Sequence, residues 1–313
     1  MTRALVFPGQ GSQSVGMGRE LSLAFATARD VFAETDEALR QNLSRLMFEG
    51  PEGELTLTEN AQPALMAVSL AVARVLEKDG GFDLKRHVAF VAGHSLGEYS
   101  ALAAARSLEL ADAARLLKRR GLAMQRAVPV GVGAMAALLG LEIDAAREVA
   151  RAAAQGEVCD AANDNGPGQV VVSGHKTAVE RAIAIASERG ARRSIMLPVS
   201  APFHCALMKP AADEMTEALS GVRLKEPLVP LITNVNAKPA RDPETIKTLL
   251  MEQVTGLVRW RECVLTMKEN GVDALTEVGA GRILSGLAKR IDRDLTVSSI
   301  GAPAEIEIFL KSI

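Results

Sequence analysis

The pentapeptide GHSLG at residues 93–97 is the part of this 313-residue chain best suited to chemistry. It matches G-x-S-x-G, follows an apolar run and precedes a helical one. In that setting the serine stands on a strained strand-to-helix turn, and the flanking glycines leave room around it. Ser95 is therefore a candidate nucleophile. The amide N–H of Leu96, at the start of the following helix, is placed to stabilise a tetrahedral oxyanion.

A serine hydroxyl needs a base to take its proton, and the chain has four histidines. His204 lies in PVSAPFHC (198–205), a loop between a predicted strand and a predicted helix, where sites collect. His94 neighbours the serine, but the sharp turn aims its side chain elsewhere, which makes it a pocket-lining candidate. His87 begins a strand and reads as structural, and His175 starts a helix and reads as a surface or capping residue. Elimination favours His204 without deciding it, since a lone histidine is commonly structural. A hydrolase triad runs Ser, then Asp or Glu, then His. Here no acid near His204 in sequence is an obvious third member, so a Ser–His pair oriented by a backbone carbonyl stays open. Cys205 reads as a small buried residue, since nothing marks its thiol as activated.

Positioning these groups requires alternating strands and helices. Residues 4–7 (ALVF) read as a buried strand that breaks at Pro8-Gly9 into a Gly-rich loop. Helical periodicity runs through 19–48, and 61–77 form a strongly apolar, central helix. A strand at 87–92 leads into GHSLG, and helices follow at 96–105 and 109–126. Such alternation predicts a parallel sheet covered by helices on both faces. Between 128 and 198 the rhythm changes to strand 133–140, helix 143–154, strand 156–163, strand 169–174, helix 176–190 and strand 192–197. That βαββαβ order is the ferredoxin-like pattern. The expected fold is α/β: a large hydrolase-like domain (1–127 and 199–313) with an inserted small ferredoxin-like domain (128–198). The large domain resumes with helix 204–219, strand 229–233, helices 243–254 and 260–270, strand 273–277, helix 282–291 and strand 295–299.

Composition narrows the function. Hydrophobic residues make up 48% of the chain, enough for a substantial core, and the formal charge is −2. No basic excess points to nucleic acid and no polybasic end to a membrane surface. No apolar run approaches the length of a transmembrane helix, and the N-terminus reaches Pro-Gly before any signal-peptide core. Cys159, Cys205 and Cys263 are widely spaced and odd in number, which argues against a disulfide framework and fits a reducing cytoplasm. Scattered histidines and the absence of HExxH or CxxC predict no metal. The loop at 9–18 lacks the lysine of a P-loop and does not complete GxGxxG, so no nucleotide cofactor is expected.

Six ordered segments resemble one family. FPGQGSQ (7–13), GHSLGEYSAL (93–102), PVSAPFHC (198–205), TNVNAKP (233–239), QVTGLVRW (253–260) and EVGAGRILSGL (277–287) look like malonyl-CoA:acyl carrier protein transacylase, which loads malonyl units for fatty acid synthesis. The resemblance covers nearly the whole chain. It implies Ser95 as nucleophile, His204 as base, and the backbone N–H groups of Gln10 and Leu96 as the oxyanion hole. It also implies that the Gln253 carbonyl holds the histidine and that Arg120, in KRRGLAMQ, binds the malonyl carboxylate. A guanidinium fork suits a buried carboxylate, whereas composition alone favours a surface charge at Arg120. Asn163 and Asn165, in NDNGPGQ, are candidates to reach the cleft, with a plain β-turn as the simpler account of them. Phe203 bears on selectivity. In related polyketide synthase acyltransferase domains a Phe before the histidine goes with malonyl and a Ser with methylmalonyl, though some malonyl-specific members carry Ser.

Malonyl-CoA and an acyl carrier protein are thus the expected partners, the carrier's phosphopantetheine being part of a substrate and no cofactor being needed. A cytoplasmic monomer is expected. Arg119, Arg192 and Arg193 are candidates for a basic rim facing an acidic carrier. Three other readings share the motifs. One is a serine esterase or thioesterase; another is an acyltransferase loading a polyketide synthase or malonate decarboxylase carrier; the third is a non-catalytic carrier-binding module.

Overall fold

In a computed structural model that describes residues 2–313, ten strands and the helices between them build two sheets. The strands are β1 (Arg3–Phe7), β2 (Val88–Gly93), β3 (Gly133–Leu139), β4 (Cys159–Gly166) and β5 (Gln169–His175). They continue as β6 (Arg193–Met196), β7 (Leu231–Ile232), β8 (Pro239–Ala240), β9 (Ala274–Val278) and β10 (Thr296–Ile300). The larger sheet has the order β10-β9-β1-β2-β7-β8, parallel throughout except for the β7–β8 pair. Every residue of β1 is buried, as expected of a central parallel strand covered on both faces. The register sets Phe7 beside Gly93, so β1 and β2 end together just below GHSLG.

The apolar helix Thr58–Lys78 packs against helices Ala26–Leu39 and Leu110–Arg126 under the main core. Its crossing with helix Leu110–Arg126 is close because residue 121 is glycine. A Cβ on Gly121 would stand 2.5 Å from the Glu59 Cα. Arg120 is carried inward at this crossing. On the sheet's other face a second core forms around Trp260, Val264 and Met267.

The second sheet is antiparallel, in the order β4-β5-β3-β6. Helices Ile143–Ala154 and Lys176–Glu188 cover one of its faces. Side chains alternate along β3: Ala136 and Leu138 join the core beneath those helices, whereas Met135 and Ala137 face the larger unit. β4 also docks on the segment after Gln253: Asp164 N–H donates to the Val258 carbonyl (2.9 Å) and Val258 N–H to the Ala162 carbonyl (2.9 Å).

Several boundaries differ from the sequence reading. The periodicity over 19–48 resolves into three helices, Arg19–Ala24, Ala26–Leu39 and Leu43–Glu49, broken by extended Phe25 and left-handed Arg40. The strand expected at 156–163 begins at Cys159, because Gly156 (φ 90°) is still in the turn leaving the helix. It runs through Asn163 and Asn165, and the turn falls on Pro167-Gly168. Pro227 and Pro230 offer no ladder donor, which confines the strand expected at 229–233 to Leu231–Ile232. His204 precedes the helix expected to contain it: a 3₁₀ turn spans Ala206–Met208 and the helix Lys209–Ser220. His87 closes a helical turn, Leu84–His87, capped by Asp83, instead of opening a strand. His175 caps nothing with its side chain; its Nδ1 accepts the Val158 N–H (2.9 Å). The helix Pro303–Leu310 has no counterpart in the reading and packs against β10.

Candidate active site

The turn after β2 is as tight as the chain allows. A Cβ on Gly93 would lie 1.9 Å from the Gly97 carbonyl carbon, and one on Gly97 would lie 2.3 Å from the Phe7 oxygen. Ser95 between them adopts φ 54°, a left-handed conformation that few side chains take. Asn234, from TNVNAKP, holds the turn. Its Oδ1 accepts the Ser95 N–H (2.8 Å) and its Nδ2 donates to the Gly93 carbonyl (2.8 Å).

Ser95 Oγ lies 2.8 Å from His204 Nε2, although 109 residues separate them. His204 is also left-handed, at φ 59°. Its Nδ1 lies 2.8 Å from the Gln253 carbonyl oxygen. A carbonyl only accepts, so Nδ1 carries the proton and Nε2 is left to accept from the serine hydroxyl. The absent acid is thereby explained: a backbone carbonyl orients the ring. Burial, then the nearby Arg120 charge, drive the imidazole pKa down to about 3, against the pull of the Gln253 carbonyl. The ring is therefore neutral across the physiological range.

Arg120 is 1% exposed. Its Nη1 donates to Gln62 Oε1 (2.8 Å), and its Nη2 to Ser95 Oγ (3.0 Å) and Gln253 Oε1 (2.9 Å). Its Nε is buried with no acceptor among the described residues. All three partners are neutral, so a buried cation with spare donors faces the serine. Burial lowers its pKa from the usual guanidinium value, and Tyr99 and Glu98 oppose that shift.

These groups share one cleft of about 780 Å³ between the two sheets. Gln10, His94, Leu96, Asn163, Asn165 and Phe203 line it too, whereas Gln253 and Asn234 lie outside the lining. Among the described residues, the backbone N–H groups of Gln10 and Leu96 have no protein acceptor and remain available to an oxyanion. His94 turns from the serine: its Nε2 lies 2.8 Å from Asn165 Oδ1 and its ring 5.7 Å from that of Trp260. Of the basic-rim candidates, Arg119 is matched by Glu214 (3.2 Å) and Glu217 (2.6 Å), while Arg192 and Arg193 are exposed.

Sequence reasoning missed Gln62, Glu98 and the Asn234 side chain as parts of this network. A signal was present for two of them. Gln62 is a polar residue inside an otherwise apolar helical run, and Glu98 a charge inside a helix with no polar face; both are fully buried. Cys205 is buried and its thiol pushed up to about 11 by burial, which agrees with an inert role. No helix among the described residues is long and apolar enough to cross a membrane.

Comparison with known proteins places this geometry in a family. Residues 4–290 match the family described as acyl transferase domain. The chain is 44% identical over 308 residues to the malonyl CoA-acyl carrier protein transacylase of Escherichia coli (strain K12), covering 98% of each. It superposes on the crystal structure of an acyl-carrier-protein S-malonyltransferase from Bartonella henselae with a TM-score of 0.97 at 54% identity, covering 100% of this chain and 99% of that one. A structure of a malonyl-transacylase in complex with its type II polyketide synthase acyl carrier protein matches at TM-score 0.96 and 42% identity, with 100% of each chain covered. An activated serine on a glycine-flanked turn and full-length likeness to known members lead to one conclusion: this chain belongs to the acyl transferase family.

Proposed function

We propose that the chain moves a malonyl group from coenzyme A to the phosphopantetheine thiol of an acyl carrier protein, through a malonyl ester on Ser95. The observation that carries this reading is the convergence of Ser95 Oγ on both His204 Nε2 (2.8 Å) and the buried Arg120 Nη2 (3.0 Å). A nucleophile beside a fixed cation suits an acyl donor that ends in a carboxylate.

His204 Nε2 takes the Ser95 proton as Oγ attacks the thioester carbonyl. The C–O bond forms, and the carbonyl oxygen becomes an oxyanion held by the Gln10 and Leu96 N–H groups. The C–S bond then breaks, and the imidazolium returns its proton to the departing thiolate of coenzyme A. The carrier's thiol enters the same cleft and the steps run in reverse. Arg120 grips the free carboxylate throughout. It disfavours acetyl donors because they leave a buried charge unanswered.

Intact-mass measurement after incubation with malonyl-CoA tests this: one malonyl adduct is expected, absent in Ser95→Ala and discharged by a carrier thiol. Rapid release of free malonate without a thiol would favour a hydrolase instead. The carrier is read as that of fatty acid synthesis, in the cytoplasm; faster discharge by a polyketide carrier than by a fatty acid carrier would reassign the pathway. No cofactor is required by these steps.

The architecture is read in the same way, as a hydrolase-like domain of residues 1–127 and 199–313 with a ferredoxin-like insertion at 128–198. The two sheets and the βαββαβ order of the second support that division. Asn163 and Asn165 come to the cleft from the insertion, and Phe203 narrows the acyl end.

A further inference from the structure

We propose that Glu98 is a positioning residue that fixes Arg120 for the malonyl carboxylate through the side-chain amide of Gln253, and so sets donor selectivity. The inference rests on the reading of Arg120 as the carboxylate's partner. Glu98 stands on the first turn of helix Gly97–Ala104, behind Ser95, and is fully buried. Its Oε1 accepts the backbone N–H of Asn234 (2.5 Å) and its Oε2 accepts Gln253 Nε2 (2.6 Å). The same Nε2 reaches the Ser95 carbonyl (3.0 Å), and Gln253 Oε1 receives Arg120 Nη2 (2.9 Å).

The order of donors and acceptors admits one arrangement. Both ends of the chain, the Asn234 N–H and the guanidinium, can only donate. Glu98 must therefore accept twice, and Gln253 must turn its oxygen to Arg120 and its nitrogen to Glu98. A glutamine at 98 accepts only through Oε1, the atom that faces the Asn234 N–H. Its NH₂ then faces Gln253, whose amide has to reverse, setting NH₂ against the guanidinium and abandoning the Ser95 carbonyl. The arrangement also divides labour. When ionised, Glu98 balances the charge of Arg120 from one amide away, and no protein carboxylate occupies the fork that the substrate needs. Gln253 thus serves twice, its carbonyl holding His204 and its side chain linking the buried charges.

The ionisable groups facing Glu98 are Arg120 from helix Leu110–Arg126, Tyr99 from its own helix and Cys263 from helix Trp260–Glu269. Burial raises the Glu98 pKa to about 8, and the Asn234 N–H, Arg120 and the Gln253 amide work against that rise. A protonated Glu98 carries a donor on one of its oxygens, like glutamine.

The test compares transfer of malonyl and acetyl from their coenzyme A esters to a carrier thiol by the full chain. At about pH 9, above the Glu98 pKa of about 8, Glu98→Gln is expected to lower the malonyl-to-acetyl ratio of kcat/KM by about tenfold or more. Because both residues act through one amide, Glu98→Gln combined with Gln253→Met is expected to lower the ratio no further than the larger single loss. Additive losses, or equal loss for both donors, would overturn the inference. If Glu98→Gln does not fold, the wild type carries the test: its ratio is expected to rise between about pH 6 and 9, as Glu98 ionises, and a flat ratio overturns the proposal. A wild type that forms no malonyl-enzyme ends the functional reading and this inference together. A wild type that does form it, with both donors impaired alike in Glu98→Gln, ends this inference alone.

Discussion

Arg120→Ala is the sharpest test of how the cleft chooses its acyl group. The substitution removes a guanidinium that is 1% exposed and whose three acceptors, Gln62, Ser95 and Gln253, are all uncharged. In the malonyl-enzyme a carboxylate two carbons from Ser95 Oγ takes the place of the hydroxyl contact and can engage two N–H groups. A hydrogen bond to a charged partner is worth about 1.5–3 kcal/mol, so a two-pronged contact supplies about 3–6 kcal/mol. At 1.36 kcal/mol per decade, kcat/KM for malonyl-CoA should fall at least about a hundredfold. Acetyl-CoA presents a methyl group, gains nothing from the guanidinium, and should fall less than about tenfold. The assay is initial-rate transfer from each donor to a carrier thiol, with intact mass reporting acyl-enzyme. Arg120→Lys should lie between, since an ammonium cannot span Gln62 and Gln253 in one fork. Equal loss for the two donors in Arg120→Ala would refute the assignment.

Three further outcomes follow from the same geometry. Gly97→Ala should cost at least about 3 kcal/mol in a denaturant titration, because its Cβ would meet the Phe7 oxygen of β1 at 2.3 Å. Gly286→Ala, where a Cβ in helix Ile283–Ile291 meets nothing, should stabilise by about 0.5–1 kcal/mol in that titration; equal effects at the two sites would refute the steric account. Because the His204 pKa is depressed to about 3, the imidazole stays an unprotonated base as pH falls through the ordinary histidine range. Ser95 acetylation by acetyl-CoA, a donor with no carboxylate for Arg120 to bind, should therefore hold its rate from about pH 7.5 down to about pH 5.5; a titration centred near pH 6.5 would contradict the buried, neutral base.

The nucleophile and its turn were legible because G-x-S-x-G constrains the backbone locally: each glycine is required by an atom a few residues away or on the neighbouring strand. His204 and Arg120 were less so. Their roles depend on contacts across 109 and 25 residues; elimination favoured His204 without deciding it, and only family likeness singled out Arg120. The strand positions came from apolar runs, and two boundaries failed where proline or glycine overrides a run, at Pro230 and Gly156, while a third failed where Asp83 caps a helical turn ending at His87. Buried polar residues were hardest to interpret. Glu98 looks like any charged residue in a helix until the tertiary structure surrounds it with donors, and Asn234 acts through a side chain whose acceptor is used by the turn around Ser95.

The left-handed backbone at Ser95 (φ 54°) and His204 (φ 59°) sets robustness against reactivity. Each L-residue held there costs on the order of 1 kcal/mol that glycine would not. A library screened for heat resistance alone would therefore drift toward Ser95→Gly, hardening the molecule while erasing its chemistry, whereas at buried His204 the cavity left by the ring outweighs the strain relieved. Engineering this scaffold for durability has to begin at positions remote from those two.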